Sequence, residues 1–202
     1  MRKKALSHFK KADPKLYDLI LSFEEISDLS PETSEDRFSR LCRIIVGQQL
    51  SSKAARSIWN RFEALFPRKK VTAKKILEMG DIKMRSAGLA GAKVRALKDL
   101  AEKVTSREVV LKDMHDHKNE IVHEKLIIVK GIGPWTIEMF LMFVLGREDV
   151  FSYGDLGLQK GFQKLYRLKQ KPTQKQMERL TKKWTPYRTY AALALWKLAD
   201  TK

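Results

Sequence analysis

In Leu126-Ile-Ile-Val-Lys-Gly-Ile-Gly-Pro-Trp-Thr136, two apolar segments meet across Gly131-Ile132-Gly133. Two glycines flanking an apolar residue permit a very tight turn, because glycine accepts positive φ without steric penalty. Ile132 can then plug the gap between the flanking helices. Pro134 suits the first turn of the second helix. The amides after the turn sit at that helix's N-terminus, point outward and carry partial positive charge, an arrangement that binds phosphate. Such a helix–hairpin–helix positions a protein on a nucleic-acid backbone and reads no bases. Gly-x-Gly alone is equally compatible with an ordinary helix–helix turn.

The rest of the chain reads almost entirely as helix. A short amphipathic helix holds Tyr17, Ile20, Leu21 and Phe23, and a turn rich in Ser, Pro and Glu follows at Asp28–Asp36. Helical spacing continues from Phe38 to Val46 until Gly47 interrupts. Ser51 or Ser52 caps a helix with Ala55, Ile58, Trp59, Phe62 and Leu65 on one face. Thr72 caps Ala73–Met79, ended by Gly80, and Met84–Ala87 is closed by Gly88. Lys93–Val104 recurs at helical spacing, whereas residues 105–118 are polar and mixed. Further helices are expected at Asn119–Ile128, at Trp135–Leu145 and after Asp155. Thr173 caps one reaching about Lys183, and Tyr187–Leu198 is the last. No run alternates with period two, so an all-α protein is expected.

Charge narrows the function. Lys+Arg 41 against Asp+Glu 24 gives +17, an excess that predicts a polyanionic partner, nucleic acid before an anionic membrane surface. The single cysteine, Cys42, excludes an internal disulfide and any Cys-rich zinc or iron–sulfur site, and its apolar setting suggests a buried, inert thiol. Met1-Arg-Lys-Lys is followed by mixed polar sequence without a signal-peptide core, and no apolar run reaches membrane-spanning length. An intracellular protein without membrane contact is therefore expected. His115, His117 and His123 lack the partners of a metal site and read as surface loop.

Downstream of the hairpin, Asp155 follows Gly154 and precedes helical sequence. Its simplest role is an N-cap. A second role is compatible with the first: a carboxylate there could stabilise an oxocarbenium-like sugar, or activate water, during C–N cleavage.

Three blocks carry a family resemblance: Ile44-Ile-Val-Gly-Gln-Gln-Leu-Ser-Ser52; Val129-Lys-Gly-Ile-Gly-Pro-Trp-Thr-Ile-Glu-Met139 leading into Asp155-Leu-Gly-Leu158; and Trp184-Thr-Pro-Tyr-Arg-Thr-Tyr-Ala-Ala-Leu-Ala-Leu-Trp196. In this order they resemble the helix–hairpin–helix–Gly/Pro–Asp (HhH-GPD) DNA glycosylase superfamily, and within it the 3-methyladenine (alkylpurine) DNA glycosylases of the AlkA and Mag type. The resemblance implies an HhH-GPD fold of two packed helical subdomains. One, central, would span about 38–128. The other would combine about 1–37 with 129–202 and carry both the hairpin and the catalytic Asp. The N-terminal β domain of AlkA-type members has no counterpart here.

Carried over residue by residue, the resemblance makes Asp155 the catalytic carboxylate. Trp135 stands where strand-cleaving members hold a Schiff-base lysine, so a monofunctional enzyme that leaves an abasic site is implied. Trp135 would also line the base pocket, together with Trp196, Met139 and Tyr153, offering aromatic faces to a cationic alkylated purine flipped from the duplex. Trp196 corresponds to a Trp lying against the Asp, or is simply a core residue of an apolar helix. Gln48 and Gln49 would enter the minor groove, Gln48 reaching base edges. Gln49 is polar where AlkA-type members place an apolar wedge, and Met139 replaces a pocket aromatic. Ser51, Gly131, Gly133 and Thr136 would contact DNA, and Lys93 and Lys130 would meet phosphates. The carbonyls of Ile127, Val129 and Ile132 would hold a structural monovalent cation, Na+ or K+; no cofactor is otherwise required. The implied partner is duplex DNA with a damaged purine, engaged by a monomer. The same hairpin and charge are equally compatible with a non-catalytic DNA-binding, lesion-sensing protein.

Overall fold

The computed structural model describes residues 2–23 and 36–201. Among them there are twelve α-helices, three short 3-10 turns and no strand: α1 (Arg2–Ala12), α2 (Pro14–Leu21), α3 (Arg37–Gly47), α4 (Ser52–Glu63), α5 (Ala73–Glu78), α6 (Asp81–Ser86), α7 (Gly91–Thr105), α8 (Asn119–Ile127), α9 (Pro134–Phe143), α10 (Leu156–Tyr166), α11 (Gln174–Thr181) and α12 (Arg188–Asp200). The turn expected at Asp28–Asp36 lies, apart from Asp36, outside the described residues. Helix starts follow the side-chain oxygens that satisfy first-turn amides. Ser51 accepts from the Ala54 N–H, Thr72 from Lys75, and Thr173 forms a reciprocal capping box with Gln176.

The described residues divide into two compact units, one of residues 36–145 and one of 2–23 with 146–201. The sequence-based boundary near 128 is thus corrected. The division falls after α9, so the hairpin belongs to the central unit and not with Asp155. The reason is packing: α9 lies against both α8 and α3, which bury Leu126, Leu41 and Ile45.

In the central unit, α7 is the organising helix. Its apolar face (Val94, Leu97, Leu100, Ala101) packs against α3, α5 and α6. Each such large apolar side chain taken out of water contributes about 1.5–3 kcal/mol. The polar stretch 105–118 is anchored by a 3-10 turn at Lys112–His115 that buries Met114, and by Arg37, whose Nη1 donates to the carbonyls of Leu111 (3.1 Å) and Lys112 (2.5 Å). Cys42 is fully buried, and burial pushes its thiol far above the usual range, as an inert thiol requires.

The second unit is built on α10 against α12, with α1, α2 and α11 around them. α10 and α12 approach closely because Gly161 faces α12: a Cβ there would lie 2.1 Å from the Leu195 carbonyl oxygen. Asp13 joins distant parts of this unit. Its carboxylate caps α2 and accepts hydrogen bonds from the Tyr166 hydroxyl and Trp184 Nε1 (2.9 Å), with Lys183 Nζ at 3.1 Å. α1 was not expected from the sequence. Only Ala5 and Phe9 anchor its described side chains firmly, too sparse a pattern to stand out in so basic a segment. Among the described residues no helix is long and apolar enough to cross a membrane, and no His/Cys/Asp/Glu cluster suits a metal ion.

Candidate functional site

The hairpin closes α8 through Val129 N–H to the Leu126 carbonyl and Ile132 N–H to the Val129 carbonyl, both 3.1 Å. Val129 and Ile132 are buried, as a plug between helices requires. The two glycines differ. Gly131 has φ +80°, and a Cβ on it would lie 2.8 Å from Ala96 Cβ on α7. Gly133 is extended, at φ −118° and ψ −178°, with nothing within 4 Å of an added Cβ. The tight turn therefore needs one glycine, while the other leaves open space before the first turn of α9. Lys130 presents its ammonium outward, with the side chain 84% exposed and 3.7 Å from Asp99 Oδ1. Asp99 Oδ2 accepts the Lys130 backbone N–H at 2.8 Å. Sequence reasoning missed Asp99. Its signal was weak: one carboxylate on the otherwise apolar inner face of α7.

α3 ends at Gly47, and the chain turns through Gln48, Gln49 and Leu50 before Ser51 caps α4. Gln49 is exposed and sits in the left-handed region, at φ +55°. Two expected DNA contacts point elsewhere. Gln48 Nε2 donates to the Gly131 carbonyl (2.9 Å) and to Thr136 Oγ1 (2.8 Å), so its amide is turned to the hairpin and not to base edges. Thr136 is correspondingly buried, at 2% exposure. Lys93 is likewise turned inward: Nζ donates to the carbonyls of Val46 (2.7 Å) and Gln48 (2.9 Å), and burial pulls its pKa below the ordinary lysine value. Carbonyls left over at a helix C-terminus carry partial negative charge and attract a cation.

Asp155 caps α10. Its Oδ1 accepts the Leu158 N–H and the Trp196 indole N–H, each at 2.8 Å. Of the two readings of Trp196, the structure places it against the Asp: it is half-buried on α12, outside the buried core, and bonded to the carboxylate. Gly157 makes this approach feasible. A Cβ there would lie 2.9 Å from Trp196 Cδ1, 3.2 Å from its Nε1 and 3.1 Å from Asp155 Oδ1. Gly157 was not singled out from sequence, although Gly157-x-x-x-Gly161 on one helix is the spacing that lets two helices meet closely. Tyr153, also half-buried, hydrogen-bonds Thr181 through its hydroxyl (2.9 Å) and packs on Phe151. Arg188 grips Asp149 with Nε at 2.6 Å and Nη2 at 3.0 Å from its carboxylate oxygens, which ties the start of α12 to the segment before Asp155. Asp149 holds the Arg188 pKa above its ordinary value. In the central unit, Trp135 and Met139 lie one turn apart on α9, the Trp half-buried and the Met buried.

Comparison with known proteins follows the same lines. Residues 42–187 match the model of the HhH-GPD superfamily base excision DNA repair proteins. The chain is 37% identical to DNA-3-methyladenine glycosylase 1 of Schizosaccharomyces pombe, over 82% of this chain and 75% of that protein. It is 30% identical to the DNA-3-methyladenine glycosylase of Saccharomyces cerevisiae, over 98% and 79% respectively. Its fold matches the S. pombe 3-methyladenine DNA glycosylase Mag1 in complex with abasic DNA at a TM-score of 0.89, with 33% identity, covering 98% of this chain and 100% of that one. With a hairpin, a capped Asp and a family match that runs from α3 to the threshold of α12, the chain belongs to the HhH-GPD superfamily of base excision DNA repair proteins.

Proposed function

We propose that this protein is a monofunctional DNA glycosylase that hydrolyses the N-glycosidic bond of alkylated purines, 3-methyladenine and 7-methylguanine, in duplex DNA. The observation that carries the reading is Asp155 at the N-terminus of α10, with one carboxylate oxygen held by the Leu158 and Trp196 N–H groups. The named relatives support the substrate class. The hairpin amides and Lys130 would seat the backbone, and the damaged nucleotide would leave the stack to be cut.

The bond from C1′ to the purine nitrogen breaks, and its electron pair leaves with the base. For a cationic alkylpurine this neutralises the base, so no strong general acid is needed. Positive charge develops on the sugar, where the Asp155 carboxylate stabilises it; water then bonds to C1′ and gives its proton toward that carboxylate. The pair of N–H donors fixes the carboxylate before reaction, so no reorganisation is required as charge appears. Trp135 supplies an indole face for a cationic purine. An indole forms no Schiff base, so the sugar–phosphate strand stays intact. A single chain suffices for this chemistry. The carbonyls of Ile127, Val129 and Ile132 are neutral donors at a helix end without a carboxylate among them, a set that suits Na+ or K+ over a divalent ion. Such an ion would brace the hairpin and take no part in the reaction.

Methylated duplex DNA incubated with the protein should release free 3-methyladenine or 7-methylguanine, with no strand break until alkali or a lyase is added. Asp155→Asn should abolish release and retain DNA binding. Full activity in that variant overturns the mechanism. Binding without release by the unaltered protein favours a lesion-sensing role instead.

A further inference from the structure

Two side chains hold the turn that carries Gln49. On one side Gln48 Nε2 bridges to the hairpin, at the Gly131 carbonyl and the Thr136 hydroxyl. On the other, Lys93 Nζ joins the last carbonyl region of α3 to the Gln48 carbonyl. Lys93, Ala96 and Asp99 follow one another at three-residue intervals along α7, and each meets a different part: Lys93 the turn, Ala96 the Gly131 backbone, Asp99 the Lys130 N–H.

We propose that Lys93 and Gln48 form a clasp that fixes the 47–50 turn to the phosphate-holding hairpin, so that Lys93 is a positioning residue for base extrusion; the inference rests on the glycosylase reading above. An ammonium has three donors and can hold two carbonyls at once, which no apolar residue of that length can do. Gln49 is a non-glycine residue kept in the left-handed region, a conformation that persists only when its surroundings over-determine it. The clasp supplies that constraint from both sides. Because the Gln48 amide is committed to the hairpin, contact with the base stack falls to Gln49 and the 37%-exposed Leu50. Gripping the backbone and presenting Gln49 then become one rigid act. Losing the clasp leaves backbone affinity intact and impairs extrusion.

The test measures single-turnover base release from two substrates: a lesion paired within a full duplex, and the same lesion facing a one-nucleotide gap, where no base pair must be broken. Lys93→Met should slow release from the paired duplex about tenfold or more, the effect of losing hydrogen bonds to a charged donor. On the gapped substrate its loss should stay below about threefold. Affinity for undamaged duplex should hold within about twofold with an unchanged salt dependence. Lys93→Arg should recover most of the rate, and Gln48→Met should show the same pattern, which keeps the proposal testable if Lys93→Met folds poorly. Equal losses on both substrates overturn the clasp. So does a salt dependence lowered by about one counterion, which marks a phosphate contact. Fluorescence of 2-aminopurine beside the lesion reads extrusion without chemistry. If the unaltered protein releases no base, the glycosylase reading fails, while a fluorescence rise unaffected by Lys93→Met separately sinks the clasp.

Discussion

Replacing Gly131 and Gly133 by alanine, one at a time, should separate folding from DNA binding within a single loop. At Gly131 two penalties add. An L-residue at φ +80° is held in the left-handed region, which costs about 1–2 kcal/mol. The new methyl would also stand 2.8 Å from Ala96 Cβ, and overpacking of that kind costs about 1–3 kcal/mol. The sum, about 2–5 kcal/mol, corresponds to a Tm loss of about 4–20 °C in a chain of this size. At Gly133 the backbone is extended and the space open, so Gly133→Ala should keep stability within about 0.5 kcal/mol. The methyl would instead stand in the approach to the first-turn amides of α9, where a lost charge-assisted hydrogen bond reduces affinity about tenfold or more. Thermal unfolding followed by circular dichroism gives the first quantity, and fluorescence anisotropy with a labelled duplex the second. Equal Tm losses in the two variants, or unaltered DNA binding by Gly133→Ala, would refute the assignment of one glycine to the fold and the other to phosphate.

Two further outcomes follow from the second unit. Trp196→Phe removes one of the two N–H donors on Asp155 Oδ1, and Gly157→Ala pushes the indole away from it, so each should slow single-turnover base release about 10–100-fold with DNA affinity held within about twofold; a normal rate in Gly157→Ala contradicts a role for the close approach. Asp13→Asn should destabilise the protein by about 2–3 kcal/mol at neutral pH, measured by urea unfolding. Burial alone raises the Asp13 pKa, but hydrogen bonds from Tyr166, Trp184 and Lys183 outweigh it and hold the group below its ordinary value. Its contribution is therefore complete above about pH 4 and is lost as pH falls through the folded value, so the gap between the two proteins should close in acid. A gap that stays constant down to pH 3 refutes the linkage.

Much of the architecture was legible because caps and periodicity are local. Ser51, Thr72, Asp155 and Thr173 start helices where the sequence placed them, and the hairpin turns at Gly131. What escaped was set by tertiary contact. Lys93 and Thr136 read as surface residues beside a phosphate site, yet both serve the turn before α4. Nothing in a single sequence tells which way a four-carbon stem will bend. The unit boundary was misplaced for a related reason. The chain's strongest punctuation lies at the hairpin, whereas the division falls after α9, where α9 has finished burying itself against α3 and α8. Gly157 went unnoticed because its importance lies in what it leaves room for, an indole some forty residues later.

The two units also differ in how they are threaded. Residues 36–145 are one unbroken segment, whereas the unit bearing Asp155 is assembled from 2–23 and 146–201. Asp13 waits for Tyr166, Lys183 and Trp184, more than 150 residues away. During synthesis the contiguous unit, hairpin included, can complete its core while the chain is still growing. α1 and α2 can meet each other early, but their partners α12 and the 182–184 turn come only when the far end of the unit emerges. Ordered in time, the unit with the hairpin is complete in sequence before Asp155 has been added, and a chain stopped near residue 145 holds the whole of the contiguous unit and none of α10 or α12.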